Sequence, residues 1–194
     1  VQISSKTIAG GFVARGWNIK IERSYTTGAL FTEERVGGLI GESGSVSVLD
    51  TYSTMTIQSN SYSGVAGLIG NGYDNISIKN SYFNGQIITE NRWSKAGLIS
   101  EGSGITVVNS FSTGTITNDI SKDDPNYYLE NLPALWDLWG EFNVNQAFDL
   151  VSNRQDLGIN DNASFLPYEE IFAMMSETWN LETWSFGGSY PVLK

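Results

Sequence analysis

The sequence holds neither cysteine nor histidine. Without thiols there is no disulfide framework, no thiolate nucleophile and no thiolate metal site. Without imidazole the commonest general base and transition-metal ligand are missing. A Ser-His-Asp triad and an HExxH zinc site are therefore excluded within these 194 residues. Charged residues are scarce at 16%, and Gly, Ser, Thr and Asn fill the gap, a balance suited to β-structure with many turns. Bases are scarcer still: 11 against 21 acids, a formal net charge of −10. That argues against a phosphate-gripping nucleic-acid surface and equally against docking on an anionic membrane. No apolar run reaches membrane-spanning length and no signal-peptide pattern is present, so no membrane insertion is expected.

What is present is repetition. Four phrases align: "GGFVARGWNIKIERSYTTG" from Gly10, "GGLIGESGSVSVLDTYSTM" from Gly37, "AGLIGNGYDNISIKNSYFNG" from Ala66 and "AGLISEGSGITVVNSFSTG" from Ala96. Their anchoring glycines Gly11, Gly38, Gly67 and Gly97 are spaced 27, 29 and 30 apart. Tyr25, Tyr52, Tyr82 and Phe111 follow those glycines by 14, 14, 15 and 14 residues; the third copy carries one extra residue around Asn71–Asn75. Registration of this kind predicts a stack of coils. Phe12, Leu39, Leu68 and Leu98 would form one core ladder. Ile19/Ile21, Val46/Val48, Ile76/Ile78 and Ile105/Val107 have the period-2 spacing of strands, and Leu30, Ile57, Ile87 and Ile116 supply a third ladder. Each buried aliphatic rung contributes roughly 1.5–3 kcal/mol, so one coil cannot fold alone but a stack can. The glycines around each Leu-Ile pair mark a tight corner, through positive φ or through close backbone approach. A flexible linker is the rival reading, and the regular apolar ladders count against it.

The phrase "GGLIG…NSY…G", with its "AGLIG" and "AGLIS" variants, resembles the GLUG-motif repeat over about residues 8–118. The tail "WNLETWSFGGSYPVLK" is similar to the Trp-rich endings of the same kind of protein. The resemblance implies a β-solenoid in a bacterial surface or adhesin-like chain. It implies no peptidase activity, because the zinc motif of the peptidases that carry this repeat is absent here.

After Ile116 the pattern breaks. "TNDISKDDPNYY" reads as a polar junction, "LENLPALWDLWGEFNVNQAFDLV" as aromatic and partly helical, "PYEEIFAMM" as a short helix behind Pro167, and the tail as paired strands turning at Gly187-Gly188. The expected fold is mainly β: a parallel β-solenoid of about four coils over residues 1–118, and a small α+β, Trp-rich C-terminal cap over 119–194. Trp136, Trp139, Trp179 and Trp184 would form the cap's own core, with a sugar-binding cluster as the sharper alternative. The N-terminus shows no comparable cap, so further chain, another subunit or a short covering strand is expected there.

Candidate sites lie in the segments before each "GLI". Tyr62 and Trp93, near Arg35 and Arg92, could form an aromatic stripe that grips sugar rings; packing of loop residues on their neighbours is the rival. Asp50 aligns with Arg23, Asn80 and Asn109 as a polar corner row, and no acidic pair recurs on a facing row, so catalysis is not expected. Asn160–Asn162 and Asp123-Asp124 lack the spacing of calcium loops, and Asn84 interrupts the threonine row Thr27, Thr54, Thr113 that an ice-binding face would need. No cofactor and no metal are expected. The function read from sequence is a non-enzymatic, extracellular adhesin-like or fibre β-solenoid, at a cell or virion surface, that recognises a surface glycan or protein. The alternatives are a self-assembling filament, sheath or virion component stacking through coil ends, and third a carbohydrate-active enzyme.

Overall fold

The computed structural model describes residues 1–89, 95–118, 138–150 and 164–194. The first coil consists of β1 (Gln2–Ser5), β2 (Ala9–Gly10) and β3 (Val13–Thr26). The second repeats it as β4 (Ala29–Thr32), β5 (Val36–Gly37) and β6 (Ile40–Ser53). The third comprises β7 (Thr56–Ser59), β8 (Val65–Ala66), β9 (Ile69–Lys79) and β10 (Tyr82–Phe83); the fourth, β11 (Gln86–Thr89), β12 (Lys95–Ala96) and β13 (Ile99–Ser112). Then follow β14 (Thr115–Asn118), β15 (Leu138–Leu150), β16 (Ser164–Leu166), α1 (Tyr168–Thr178), β17 (Trp184–Ser185) and β18 (Val192–Leu193).

Strands stack by equivalence into three parallel sheets: β1-β4-β7-β11-β14, then β2-β5-β8-β12, then β3-β6-β9-β13-β15-β16, with β10 pairing both β6 and β13. The chain is a parallel β-solenoid of about four turns. The ladders read from sequence are its core: Leu39, Leu68 and Leu98 are fully buried, as are Leu30, Ile57 and Ile87, and Val46, Val48, Ile76, Ile78, Ile105 and Val107 are almost so. Ile3 joins the second of these rows, opposite Leu30.

Phe12 does not. It stands where Leu39 stands one coil later but is 47% exposed, because among the described residues the first coil has a neighbouring coil on one side only. A second correction concerns Leu138–Leu150, expected as partly helical and found as strand β15, parallel to β13. Its Phe142 and Val144 lie opposite Ile105 and Val107, and Phe148 opposite Phe111, so the solenoid sheet continues past residue 118. Period-2 spacing and the four-residue step from Val144 to Phe148, the same step as Val107 to Phe111, override the local helical pattern.

The glycine corners have a single cause. A Cβ on Gly38 would lie 2.0 Å from the carbonyl oxygen of Gly67, and one on Gly67 would lie 2.3 Å from that of Gly97. Close backbone approach between coils, rather than positive φ, requires glycine here. Most left-handed positions fall elsewhere, in two rows that bend each long strand: Asn18, Ser45, Asp74, Asn75 and Gly104, then Arg23, Asp50, Asn80 and Asn109. Asn and Asp are the residues that tolerate this conformation best among those with a Cβ.

The C-terminal α+β element lies along the flank of the stack. Tyr25, Tyr52, Tyr82 and Phe111 form a ring column with centroids 4.9–5.1 Å apart and planes within 6°. Trp179 and Trp184, from the end of α1 and from β17, pack on it together with Ile171 and Met175. Trp184 Nε1–H donates to Asp50 Oδ1 (3.1 Å) in the second coil, and Trp179 Nε1–H to the Asn109 carbonyl (3.0 Å) in the fourth. The tryptophans thus share a core with the solenoid instead of forming one of their own; a buried indole needs an acceptor, and the polar corner row supplies it. Trp136 lies outside the described residues, and Trp139 falls within β15.

Candidate functional site

Two features of the flank away from the tryptophans present chemistry to solvent. The first is a cluster where the turn between β4 and β5 meets the start of the third sheet, in β3 and β6. Arg35, expected as a ligand-gripping residue, donates through Nη1 to Glu42 Oε2 at 3.0 Å. Arg15 completes the cluster, with Nη2 3.3 Å from Oε2 and Nε 3.3 Å from Oε1 of the same carboxylate. Glu42 is buried between the two guanidinium groups. Burial makes this trio expensive to break, since losing one partner leaves a desolvated charge. Its primary role is to fasten the first coil to the second, because Arg15 and Glu42 occupy equivalent rungs.

Two coils on, the same row continues differently: Glu101 accepts from the Asn71 side-chain amide (3.0 Å) and from the Gly64 backbone N–H (3.2 Å). That bond helps shape the turn holding Tyr62, which is 83% exposed. Arg35 packs against Gly64 in that turn, so the structure brings Arg35 and the Tyr62 loop together. Arg92 and Trp93, the other half of the expected stripe, lie outside the described residues.

The second feature is a shallow groove of about 260 Å³ on the outer face of the first sheet. Ser4, Phe31 and Gln58 occupy successive rungs of one outward row, opposite each other in the β1–β4 and β4–β7 registers. Ser5, Thr32, Glu33, Ser59 and Asn60 complete the wall. Outward orientation follows from alternation, since Ile3, Leu30 and Ile57 beside them point into the core. The edge of the groove is held by hydroxyl bonds: Ser59 Oγ–H donates to the Glu34 carbonyl (3.1 Å), and Thr32 Oγ1–H to the Thr7 carbonyl. Among the described residues the Ser4 hydroxyl, the Gln58 amide and the Glu33 carboxylate make no internal hydrogen bond, so they face solvent around the half-buried Phe31 ring. Asn60 ends the groove two residues before Tyr62. Phe31 and Gln58 were missed in the sequence, although their rows beside Leu30 and Ile57 were visible there.

The acids elsewhere are spoken for or scattered. Asp50 Oδ1 accepts from Asn80 Nδ2 (3.0 Å) and from Trp184. Among the described residues Glu33 is the only acidic one lining the groove. Among the described residues no three Asp or Glu side chains converge on a metal-sized site. Asp123-Asp124 and Asn160–Asn162 lie outside those residues.

The tyrosine column responds electrostatically to its cover. Burial, followed by the neighbouring phenols of Tyr52, Tyr168 and Tyr190, pushes the Tyr82 hydroxyl well above the ordinary tyrosine range. Tyr168 is raised for the same reasons, burial first and then Tyr190. Tyr82 O–H donates to the Pro191 carbonyl at 2.7 Å, a bond that keeps the phenol neutral. These shifts belong to a sealed core and place no acid or base at the groove.

No protein-family model, curated protein or solved structure matches the chain.

Proposed function

We propose that this protein is a non-enzymatic, extracellular, adhesin-like β-solenoid that displays a saccharide-binding groove on its flank. The observation that carries this reading is the Phe31 ring set between the Ser4 hydroxyl, the Gln58 amide and the Glu33 carboxylate. A sugar ring has an apolar C–H face that packs on an aromatic ring and an equatorial rim of hydroxyls that needs donors and acceptors. The groove offers both within one short row. Net charge of −10 and the Glu33 carboxylate favour neutral sugars over uronic or sialic acids. Tyr62, close to the groove's end in sequence, provides a second stacking surface for a longer chain of sugars. The GLUG-like phrasing of the repeats points toward the same cell-surface setting.

Glycoside cleavage requires two carboxyl groups facing across the bond. Among the described residues Glu33 is the one carboxylate in the groove, which supports binding without turnover. The test is a glycan array followed by calorimetry on the best neutral oligosaccharide. Phe31→Ala is expected to weaken binding about tenfold and Gln58→Ala by several-fold, with unchanged circular dichroism. Binding indifferent to Phe31→Ala would remove this site, and release of reducing ends would remove the non-enzymatic reading.

A further inference from the structure

The long strands of the third sheet carry an outward row that belongs to neither the ion cluster nor the groove. Trp17, Gly44 and Tyr73 stand on successive rungs of β3, β6 and β9. A Cβ on Gly16 would meet the side chains of Ile19 and Val13, and one on Gly72 those of Ile76 and Ile99. Ser43, between them, is fully buried. The position before each member of the row therefore faces the core, and the row itself faces outward along the side of the stack. Tyr73 shows that this does not depend on the first coil: β9 has β6 on one side and β13 on the other, and the tyrosine is still only half-buried.

The row alternates a ring with bare backbone. The Trp17 indole leans over the second coil, where a Cβ on Gly44 would lie 2.6 Å from its Nε1 and 2.9 Å from its Cδ1. Glycine at that rung seats the indole against the chain, and Trp17 keeps 63% of its surface exposed. One residue further along each strand comes the left-handed corner: Asn18, Ser45 and the pair Asp74-Asn75. Two residues before the rings, Arg15, Glu42, Asn71 and Glu101 occupy successive rungs. Among the described residues the side chains of Asn18, Ser45, Asp74 and Asn75 and the Trp17 Nε1–H make no internal hydrogen bond. The rings thus form a narrow strip between two polar rows.

We propose that this strip is a second saccharide-binding surface and that it takes an extended, neutral β-1,4-linked glucan laid along the solenoid axis. Trp17 and Tyr73 stack on the C–H faces of sugar rings, and the unbonded corner side chains meet the hydroxyl rims. Coils succeed one another about every 4.8 Å, close to the advance per residue of an extended β-1,4-linked chain, so ligand and coils keep step. Two rungs separate Trp17 from Tyr73, which matches every second sugar, the ones that present the same face. An α-linked glucan coils and loses that step. An apolar segment of a protein partner is a poorer occupant, because it would leave Asn18, Asp74 and Asn75 desolvated without hydrogen-bond partners. The net charge of −10 favours a neutral polymer over an anionic one. The inference rests on the saccharide-binding reading of the protein but not on the Phe31 groove, which lies on the first sheet.

The experiment is calorimetric titration of the 194-residue protein, as wild type and as Phe31→Ala, with cellohexaose, cellobiose and maltohexaose. Both proteins are expected to bind cellohexaose about tenfold more tightly than cellobiose and to leave maltohexaose unbound. In the Phe31→Ala background, Trp17→Ala is expected to weaken cellohexaose binding about tenfold and Tyr73→Ala several-fold, with circular dichroism unchanged. Absence of cellohexaose binding in Phe31→Ala overturns the strip whatever the groove does. So does binding there that is indifferent to Trp17→Ala. Equal affinity for maltohexaose overturns the fit to an extended chain. Retained cellohexaose binding in Phe31→Ala that Trp17→Ala abolishes upholds the strip even where the groove's own ligand test fails. If Tyr73→Ala does not fold, Trp17→Ala, at an exposed position, decides.

Discussion

Tyr25 and Tyr82 are the same position of the same repeat, stacked in one column with a single ring between them. Tyr25 is half exposed; Tyr82 is sealed beneath Trp179, Trp184 and Tyr190 and hydrogen-bonded to Pro191. Identical local sequence thus yields a surface ring at one end and the centre of a second core in the middle. The difference comes from a segment about a hundred residues later in the chain, whose indole N–H groups find acceptors on the polar corner row. In a repeat protein each coil's energetics depend on what covers it, and the covering here is lateral as well as end-on.

The largest test of that contrast is truncation at both positions. Tyr82→Ala is expected to cost about 3–5 kcal/mol in denaturant unfolding, and Tyr25→Ala under about 1 kcal/mol. Equal losses would mean that the C-terminal element contributes nothing to the column. A smaller contrast separates the glycines of the two regions. Gly38→Ala forces a Cβ to within 2.0 Å of a backbone carbonyl, whereas the nearest atom to a Cβ on Gly187 is 3.9 Å away. The former is expected to lose about 1–3 kcal/mol and the latter to stay within about 0.5 kcal/mol. The gentlest probe is alkaline titration. Tyr82 and Tyr168 are raised in the folded protein above the ordinary value of 10.0. As pH rises through that value the unfolded chain releases protons that the folded chain keeps, so stability falls. Unfolding midpoints should therefore decline above that pH, while in Tyr82→Phe the decline should be shallower. A midpoint flat with pH would contradict the sealed column.

Much of this architecture was legible because stacking obeys simple periodicities. Leu39, Leu68 and Leu98, the paired aliphatics and the aromatic column can be read directly by aligning the repeats. The corner row Arg23, Asp50, Asn80, Asn109 was also visible as an alignment, and the structure supplies its reason, a left-handed bend. Phe12 misled because a repeat position predicts burial only when a neighbour exists on both sides. Leu138–Leu150 misled because its strand spacing lies beneath a helical-looking run of aromatics and lacks the "GLI" phrase. The groove was hidden for a different reason: Phe31 and Gln58 sit three residues or more from one another's turn and share a site only through the register of β4 and β7. Arg35 and Tyr62 were read from the sequence as candidates, but the sequence did not disclose that Glu42 already holds the arginine.

The extra residue of the third repeat has a consequence for how such a chain changes length. Between Gly44 and Val46 the second coil has one residue; opposite it, between Tyr73 and Ile76, the third has two, Asp74 and Asn75, both left-handed. The rows are back in step at Ile76, so the insertion never reaches the core. The same slack recurs at β15, where Trp139 and Phe142 face Ser103 and Ile105. This corner is a splice point: genetic insertions landing there leave every ladder in register, whereas one placed a few residues later, between Ile76 and Ile78, would turn a whole rung inside out. Variation in the surface of this solenoid is thereby channelled to one edge, and foreign peptides grafted for display belong at Asp74-Asn75.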